Sequence, residues 1–332
     1  MRVLINGFGR IGRSVLRAWL QAPARWPDLE IVGINDIAAP EMCAYLFGYD
    51  SVFGPWQGDV RAQDGALIID GRAIPLTREA DLGALDLRHV DIVMECTGRA
   101  ERRDIAEAGL RAGASRVLIS GPSAAADVTV VLGANEGDLA DQKIVSNASC
   151  TTNALAPLVR LLDEAFGVVT GTMTTIHCYT GSQPTVDAPR GKGGVDDFTR
   201  SRAAALSMVP TTTSAQRLVD QVLPDLAGRI EGSAVRVPVA SVSAVDLAVM
   251  LDCAVDAAAV NAALMRGGTL AGIVGVTDLP LVSSDLRARS ESIVMALPET
   301  RVTRGGMVRV FGWYDNEWGF SNRMLDMAIS MR

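Results

Sequence analysis

Ser149-Cys150-Thr151-Thr152-Asn153 lies near the middle of a 332-residue chain, at a break between two hydrophobic patterns. Upstream, short near-continuous apolar runs alternate with helical segments. Downstream, longer strands alternate apolar and polar residues. Continuous runs suit strands covered on both faces, as in a parallel sheet, and alternation suits antiparallel strands with one solvated face. The break therefore predicts two domains, residues 1–149 and residues 150–316.

Cys150 opens a helical pattern that runs to about Phe166 and stops at Gly167. The positive end of a helix dipole stabilises a thiolate, and an ordinary thiol of pKa ~8.5 needs such help near neutral pH. A cysteine is more often a small buried apolar residue than a nucleophile. Four polar neighbours make a poor core composition here, so Cys150 is the candidate nucleophile. Cys43, Cys96, Cys178 and Cys253 sit among apolar or small neighbours and read as structural. A strand over 168–179 carries His177 near its end, just before the polar run Thr180-Gly-Ser-Gln183. His177 can take the thiol proton, or hold an ion pair with the thiolate, and later serve as acid or base on a substrate oxygen. His89, the other histidine, reads as a loop or strand-entrance residue. Arg200, Arg202, the Thr211–Thr213 hydroxyls and Arg236 read in two ways: as phosphate ligands through charge-assisted hydrogen bonds, or as separate solvated groups.

The chain begins with an apolar strand, residues 2–6. Gly7-Phe8-Gly9-Arg10-Ile11-Gly12 follows, a G-x-G-x-x-G turn, and then a helical pattern over 10–21 with Ile11, Val15, Leu16 and Trp19 on one face. The glycines permit a tight turn and let backbone N–H groups approach a pyrophosphate at the helix N-terminus. The motif alone is common. Here a second strand, 30–35, ends at Asp36, about where a ribose-binding carboxylate is needed. That βαβ context predicts a dinucleotide site in a Rossmann-type, doubly wound parallel sheet. Strands at 91–96, 116–120, 128–132 and 143–146 extend the sheet. Residues 53–77 read as a hairpin excursion, and 101–113 and 136–142 as helix or loop. The turns Thr97-Gly98 and Ser120-Gly121-Pro122 read equally well as cofactor contacts or as plain turn chemistry. Strands at 242–253, 272–277, 292–297 and 307–315 are expected to be antiparallel. The fold class is thus α/β, a parallel Rossmann-type sheet joined to an α+β domain with a large, mainly antiparallel sheet.

Bulk properties exclude other classes. A net charge of −7 argues against a general nucleic-acid or anionic-membrane surface. No apolar run reaches the ~18 residues of a membrane span. The first residues lead straight into a strand, with no room for a signal peptide. Five scattered cysteines without a CxxC pair predict no zinc site, no disulfide framework and a reducing cytoplasm.

The chain resembles the phosphorylating glyceraldehyde-3-phosphate dehydrogenase family over essentially its whole length. The resemblance is carried by Ile5-Asn-Gly-Phe-Gly-Arg-Ile-Gly-Arg13, Ser146-Asn-Ala-Ser-Cys-Thr-Thr-Asn153, Arg236-Val-Pro238 and Trp313-Tyr-Asp-Asn-Glu-Trp-Gly319. It implies attack by Cys150 on an aldehyde, proton transfer through His177, oxidation to a thioester by NAD, and release by inorganic phosphate. Gly7, Gly9, Arg10, Ile11, Gly12, Asp36 and Ser120 match cofactor positions; Asn316 matches one that orients the nicotinamide carboxamide, and Arg78 lies near another. Ser149, Thr151, Thr180, Arg200, Thr213 and Arg236 match the positions that hold the substrate phosphate and inorganic phosphate. The family is homotetrameric, and the C-terminal helix, 317–332, is expected to pack back onto the first domain.

Several positions depart from the family pattern. Ala154 replaces a second cysteine four residues after Cys150, which removes any disulfide at the site. Ser214 replaces a usual glycine in the inorganic-phosphate pocket, and Ser182 stands where many bacterial members carry aspartate. Ala188 replaces a commoner leucine linked to exclusion of a 2′-phosphate. Asp36 favours NAD by charge repulsion, and NADP use stays open. Extra residues follow Pro189, Gly191 to Gly194 among them. The segments 277–283, 300–302 and 318–326 look more like the sister erythrose-4-phosphate dehydrogenases, in which water releases the acid. Asn35-Asp36, Tyr179-Thr180 and Pro210–Thr213 look like the glyceraldehyde enzymes, and these are the segments that bear on cofactor and phosphates.

Overall fold

The structure is a computed structural model and describes residues 1–192, 195–267, 270 and 272–332. The chain divides into two compact units, Met1–Ser149 with Phe320–Arg332, and Cys150–Gly319.

The first unit is built on β1 (Arg2–Asn6), α1 (Arg10–Gln21) and β2 (Glu30–Asn35). Three more strands come before the middle of the unit: β3 (Val60–Gln63), β4 (Ala66–Ile69) and β5 (Arg72–Thr77). The remaining four are β6 (Ile92–Glu95), β7 (Arg116–Ile119), β8 (Val128–Thr129) and β9 (Ile144–Ser146). Among the described residues they form a nine-stranded sheet in the order β8-β9-β7-β6-β1-β2-β5-β4-β3. The six strands from β8 to β2 are parallel. Alternate residues serve opposite faces. Leu4, Val93 and Val117 share a buried cluster with Ala106, Ala108 and Ala112, while Ile5 lies under Gly12 of α1. Both faces are therefore covered, which is why the strands read as continuous apolar runs.

Two details differ from the sequence expectation. The 53–77 excursion does contain hairpins, β3 with β4 and β4 with β5, but it does not stand apart: β5 also pairs in parallel with β2 through Ile34 and Leu76, so it widens the main sheet. The strand expected at 128–132 ends at Thr129, because the Asn135 side chain accepts from Val131 N and donates to Thr129 O. It thereby takes backbone groups that a longer ladder would have used. The C-terminal residues fasten to this unit through Arg25 Nη1 donating to Asn322 Oδ1 (3.0 Å) and Trp26 Nε1 donating to Asp326 Oδ1 (2.7 Å).

The second unit opens with α2 (Cys150–Phe166), followed by β10 (Val168–Cys178). Then come β11 (Val209–Thr211), α3 (Ala215–Val222), β12 (Ile230–Val237), β13 (Ser243–Leu251), β14 (Val274–Thr277), β15 (Ile293–Ala296) and β16 (Met307–Tyr314). The described strands form an eight-stranded sheet ordered β11-β12-β10-β13-β16-β15-β14, with Arg301–Val302 paired to β16. The sheet is mainly antiparallel, as expected, but the antiparallel expectation fails for β14 with β15, which are parallel, and β10 with β12 is parallel too. Each pair is joined by a connection long enough to return to the same end of the sheet, as a parallel pair requires. The β10–β12 pair matters for the site, because parallel register sets His177 beside Arg236. The 180–202 loop carries a small ribbon, Gly191–Lys192 against Val195–Asp196; Gly193 and Gly194 lie outside the described residues. No described helix is long and apolar enough to cross a membrane.

Candidate active site

Cys150 is the first residue of α2 and is partly buried. His177, on the last turn of pleat in β10, places Nε2 3.7 Å from Cys150 Sγ. Its Nδ1 lies 2.7 Å from the Cys178 carbonyl oxygen. A carbonyl only accepts, so Nδ1 carries the proton and Nε2 presents its lone pair to the thiol. Burial holds His177 down to about 4, helped by the charges of Arg236 and Arg200.

Burial also pushes the Cys150 thiol up, against hydrogen bonds from Thr151 and the charge of Arg236. Burial thus opposes the pull of the helix dipole toward the thiolate. In a dry site each separate charge is disfavoured, and desolvation outweighs a half-charge at the helix end. The pair becomes reactive when one proton crosses from Sγ to Nε2.

The spacing is held by Tyr314 at the end of β16. Its hydroxyl bridges Thr151 Oγ1 (2.9 Å) on α2 and Thr175 Oγ1 (2.8 Å) on β10, and Thr175 also donates to the Ala244 carbonyl. The Tyr314 ring stands edge-on to the His177 ring. Sequence reading passed over Tyr314. Its signal was a hydroxyl among apolar residues of β16, one of several such residues in the chain.

Two guanidiniums share the neighbourhood. Arg236 donates to Thr180 Oγ1 (2.9 Å). Burial lowers its pKa, and the nearby Arg200 lowers it further. Arg200 donates to Thr211 Oγ1 (2.7 Å) and the Thr212 carbonyl (3.2 Å), and meets Asp197 at 3.4 Å. Two cations close enough to disfavour one another are an arrangement that a bound anion would relieve. Of the other phosphate candidates, Thr213 accepts from Ala215 N at the start of α3, exposed Ser214 makes no side-chain cap there, and the Thr151 hydroxyl is engaged by Tyr314. Ser149 belongs to the first unit. Ser182 hydrogen-bonds Thr180 (2.9 Å).

The first unit holds a cleft of about 460 Å³ whose lining includes Gly7, Gly9, Asp36, Glu79, Asp81 and Thr97. Gly7 has φ +92°, and a Cβ there would lie 2.7 Å from Thr97 N; a Cβ on Gly12 would lie 2.2 Å from the Gly7 carbonyl. Both glycines are needed for packing. At Gly9 a Cβ would meet nothing within 4 Å, so that position keeps the cleft open at the uncapped start of α1. The Asp36 carboxylate accepts from Phe8 N (2.6 Å) and Ala38 N (2.8 Å), tying the end of β2 to the glycine turn. An open, uncapped helix N-terminus beside an acid fits a pyrophosphate and its ribose.

The other cofactor candidates lie apart from this lining. Arg10 pairs with Asp50, and exposed Arg78 donates to the Ile37 carbonyl. Ile11 is not in the lining. Ser120 bonds the Cys96 thiol, which burial pushes up to about 12. Asn316, in the second unit, lies against Cys178 and Ser243. A polar belt in the lining of the cleft was not anticipated from the sequence. Asn35 donates to Asn6 Oδ1 (2.8 Å) and accepts from Thr77 Oγ1 (2.8 Å), and Asn6 donates to Glu95. Each of Asn6, Asn35 and Glu95 is the polar last residue of an apolar strand, and that was the available signal.

Residues 1–103 match the family described as glyceraldehyde 3-phosphate dehydrogenase, NAD binding domain, and residues 149–316 match its C-terminal domain. This chain belongs to the glyceraldehyde-3-phosphate dehydrogenase family. A glyceraldehyde-3-phosphate dehydrogenase of Xanthobacter flavus is 46% identical over 338 residues, covering 100% of this chain and 98% of the relative. One from Cereibacter sphaeroides is also 46% identical, over 336 residues with 100% and 98% covered. Glyceraldehyde-3-phosphate dehydrogenase 1 of Bacillus subtilis is 43% identical over 334 residues, with 99% and 97% covered. The two family domains meet the thiol site and the glycine cleft described above, one in each unit.

Proposed function

We propose that the chain oxidises glyceraldehyde 3-phosphate with NAD and couples the oxidation to inorganic phosphate, giving 1,3-bisphosphoglycerate. The observation that carries the chemistry is Cys150 Sγ 3.7 Å from His177 Nε2, whose other ring nitrogen is pinned to the Cys178 carbonyl.

Cys150 forms a bond to the aldehyde carbon as its proton passes to His177. The imidazolium then faces the substrate oxygen and donates to the charge that gathers there. A base of low basicity gives up its proton readily, so His177 protonates that oxygen to complete the thiohemiacetal. NAD, when bound, supplies the two-electron acceptor that brings this carbon to the acyl level. His177 takes the hydroxyl proton in that step, leaving a thioester on Cys150. A phosphate oxygen then attacks the acyl carbon, and the sulfur leaves as thiolate and recovers its proton from His177. Arg236 with Thr180, and Arg200 with Thr213, would hold the two phosphate groups. The cleft with Gly9 and Asp36 would hold the dinucleotide. Glu79 and Asp81 add to Asp36 in the same lining, a charge that repels a 2′-phosphate and supports NAD over NADP.

A homotetramer and a cytoplasmic location belong to the same proposal and rest on the resemblance. Phe198, Leu206 and Met208, each at least 75% exposed, support an assembly that covers the loop. The relatives reported above carry the glyceraldehyde name, and nothing among them favours erythrose 4-phosphate. The test is an assay of both aldehydes with NAD, with and without inorganic phosphate. Glyceraldehyde 3-phosphate oxidation that requires phosphate is expected; turnover indifferent to phosphate would sink the proposal.

A further inference from the structure

Asn316 follows β16 and is buried, as are Cys178 and Ser243. Its Oδ1 accepts from the Cys178 thiol (3.1 Å) and from the Ser243 hydroxyl (3.3 Å). Ser243 Oγ in turn accepts from Cys178 N (3.1 Å), which fixes the hydroxyl between strand and amide. No acceptor for Asn316 Nδ2 occurs among the described residues. An asparagine amide has two nearly isosteric orientations, and its donors and acceptors decide between them. Turning this one over would set an N–H₂ group against a thiol hydrogen and leave Oδ1 without either donor.

The residue before Ser243 shows how firmly this corner is held. Val242 has φ +67°, a genuine outlier for a β-branched residue. It is buried with Leu286 and Val294, and that packing holds the strained backbone in place.

We propose that Cys178 and Ser243 are positioning residues that lock the Asn316 amide with its N–H₂ as donor to a carbonyl oxygen of the cofactor. The inference rests on the reading above in which Asn316 meets the nicotinamide carboxamide. It adds that the orientation is set from behind by a thiol and a hydroxyl. It also gives Cys178, a residue with no place in the thiol chemistry, a task at the site. Burial keeps that thiol protonated, pushed up to about 12, so it acts as a donor throughout the working pH range.

The test is calorimetric binding of NAD and of ADP-ribose, which lacks the nicotinamide, to Cys178→Ala, Ser243→Ala, the double variant and Cys178→Ser. The double variant is expected to lose roughly tenfold in NAD affinity and to bind ADP-ribose as the parent does. Cys178→Ser, which keeps a donor, is expected to restore the parent ratio of the two affinities. Equal losses for both ligands would show a merely structural role and overturn the inference, as would no loss for either. Asn316→Ala separates the two layers. If it leaves the NAD to ADP-ribose ratio unchanged, the underlying reading of Asn316 fails. If it lowers the ratio while the double variant does not, only the positioning role fails. An acetylpyridine dinucleotide keeps the carbonyl and lacks the amide nitrogen. It should lose affinity in the double variant by the same factor as NAD; a loss confined to NAD overturns the donor assignment.

Discussion

The glycine turn at residues 7–12 and the thiol site around Cys150 are made of different materials. The turn works through backbone: a positive φ at Gly7, a close approach at Gly12, an open position at Gly9 and the uncapped start of α1. The thiol site works through side chains fixed by other side chains and carbonyls. His177 is aimed by the Cys178 carbonyl, and α2 is tied to β10 through Tyr314. A backbone site tolerates change wherever its atoms face the ligand and fails where they face protein. A side-chain site loses function in steps, according to how directly each group touches the reacting atoms.

The largest effect should come at the nucleophile. Cys150→Ser is expected to lower kcat by at least ~10⁴-fold, since a serine hydroxyl is neither as readily ionised nor able to form a thioester. Steady-state turnover near the parent value would end the thioester reading. His177→Asn should cost about 10²–10⁴-fold in kcat and slow iodoacetamide alkylation of Cys150 at neutral pH; equal alkylation rates would contradict the role of Nε2 as proton acceptor.

The same histidine has a stability signature. Its folded pKa, about 4, lies below the ordinary value of 6.5, so the folded state binds fewer protons than the unfolded one between these limits. Stability from this residue should be flat above pH 6.5 and fall as pH drops towards 4. The fall in Tm over that window should be smaller in His177→Asn than in the parent.

The glycine comparison comes next in size. Gly12→Ala pushes a methyl against the Gly7 carbonyl and should destabilise the fold by roughly 1–3 kcal/mol in urea unfolding. Gly9→Val should leave the unfolding midpoint near the parent and weaken NAD binding about 10–100-fold. If the two variants exchange these behaviours, Gly9 does not face the ligand. Tyr314→Phe should be the mildest, lowering kcat by roughly 3–10-fold through a looser Cys150–His177 spacing; an unchanged kcat with a lower Tm would make Tyr314 purely structural.

The contrast also explains what could be read from the chain before its fold was known. The glycine turn was legible because backbone demands fall on particular residues at fixed spacing, and Asp36 closed the pattern. Cys150 was legible as an odd composition, a thiol among hydroxyls. The parallel register that puts Arg236 beside His177 was not, because pairing across sixty residues leaves no periodic trace in either strand. The burial of the thiol was not legible for a related reason: the helix dipole is local and visible, whereas burial is a property of the folded whole. Asn6, Asn35 and Glu95 each looked like the end of a strand, and only the sheet order joined them into a belt.

Val242 carries a consequence for engineering. A left-handed backbone at a valine stores roughly 1–3 kcal/mol of strain, so Val242→Gly offers a route to relieve it. The same replacement strips the isopropyl group that keeps company with Leu286 and Val294 and frees the chain just ahead of Ser243. Selection for heat tolerance alone would weigh those two terms and ignore the amide two contacts away. Selection for tight cofactor binding would keep the valine. Position 242 is therefore where a lineage's growth temperature and its cofactor supply would pull in opposite directions.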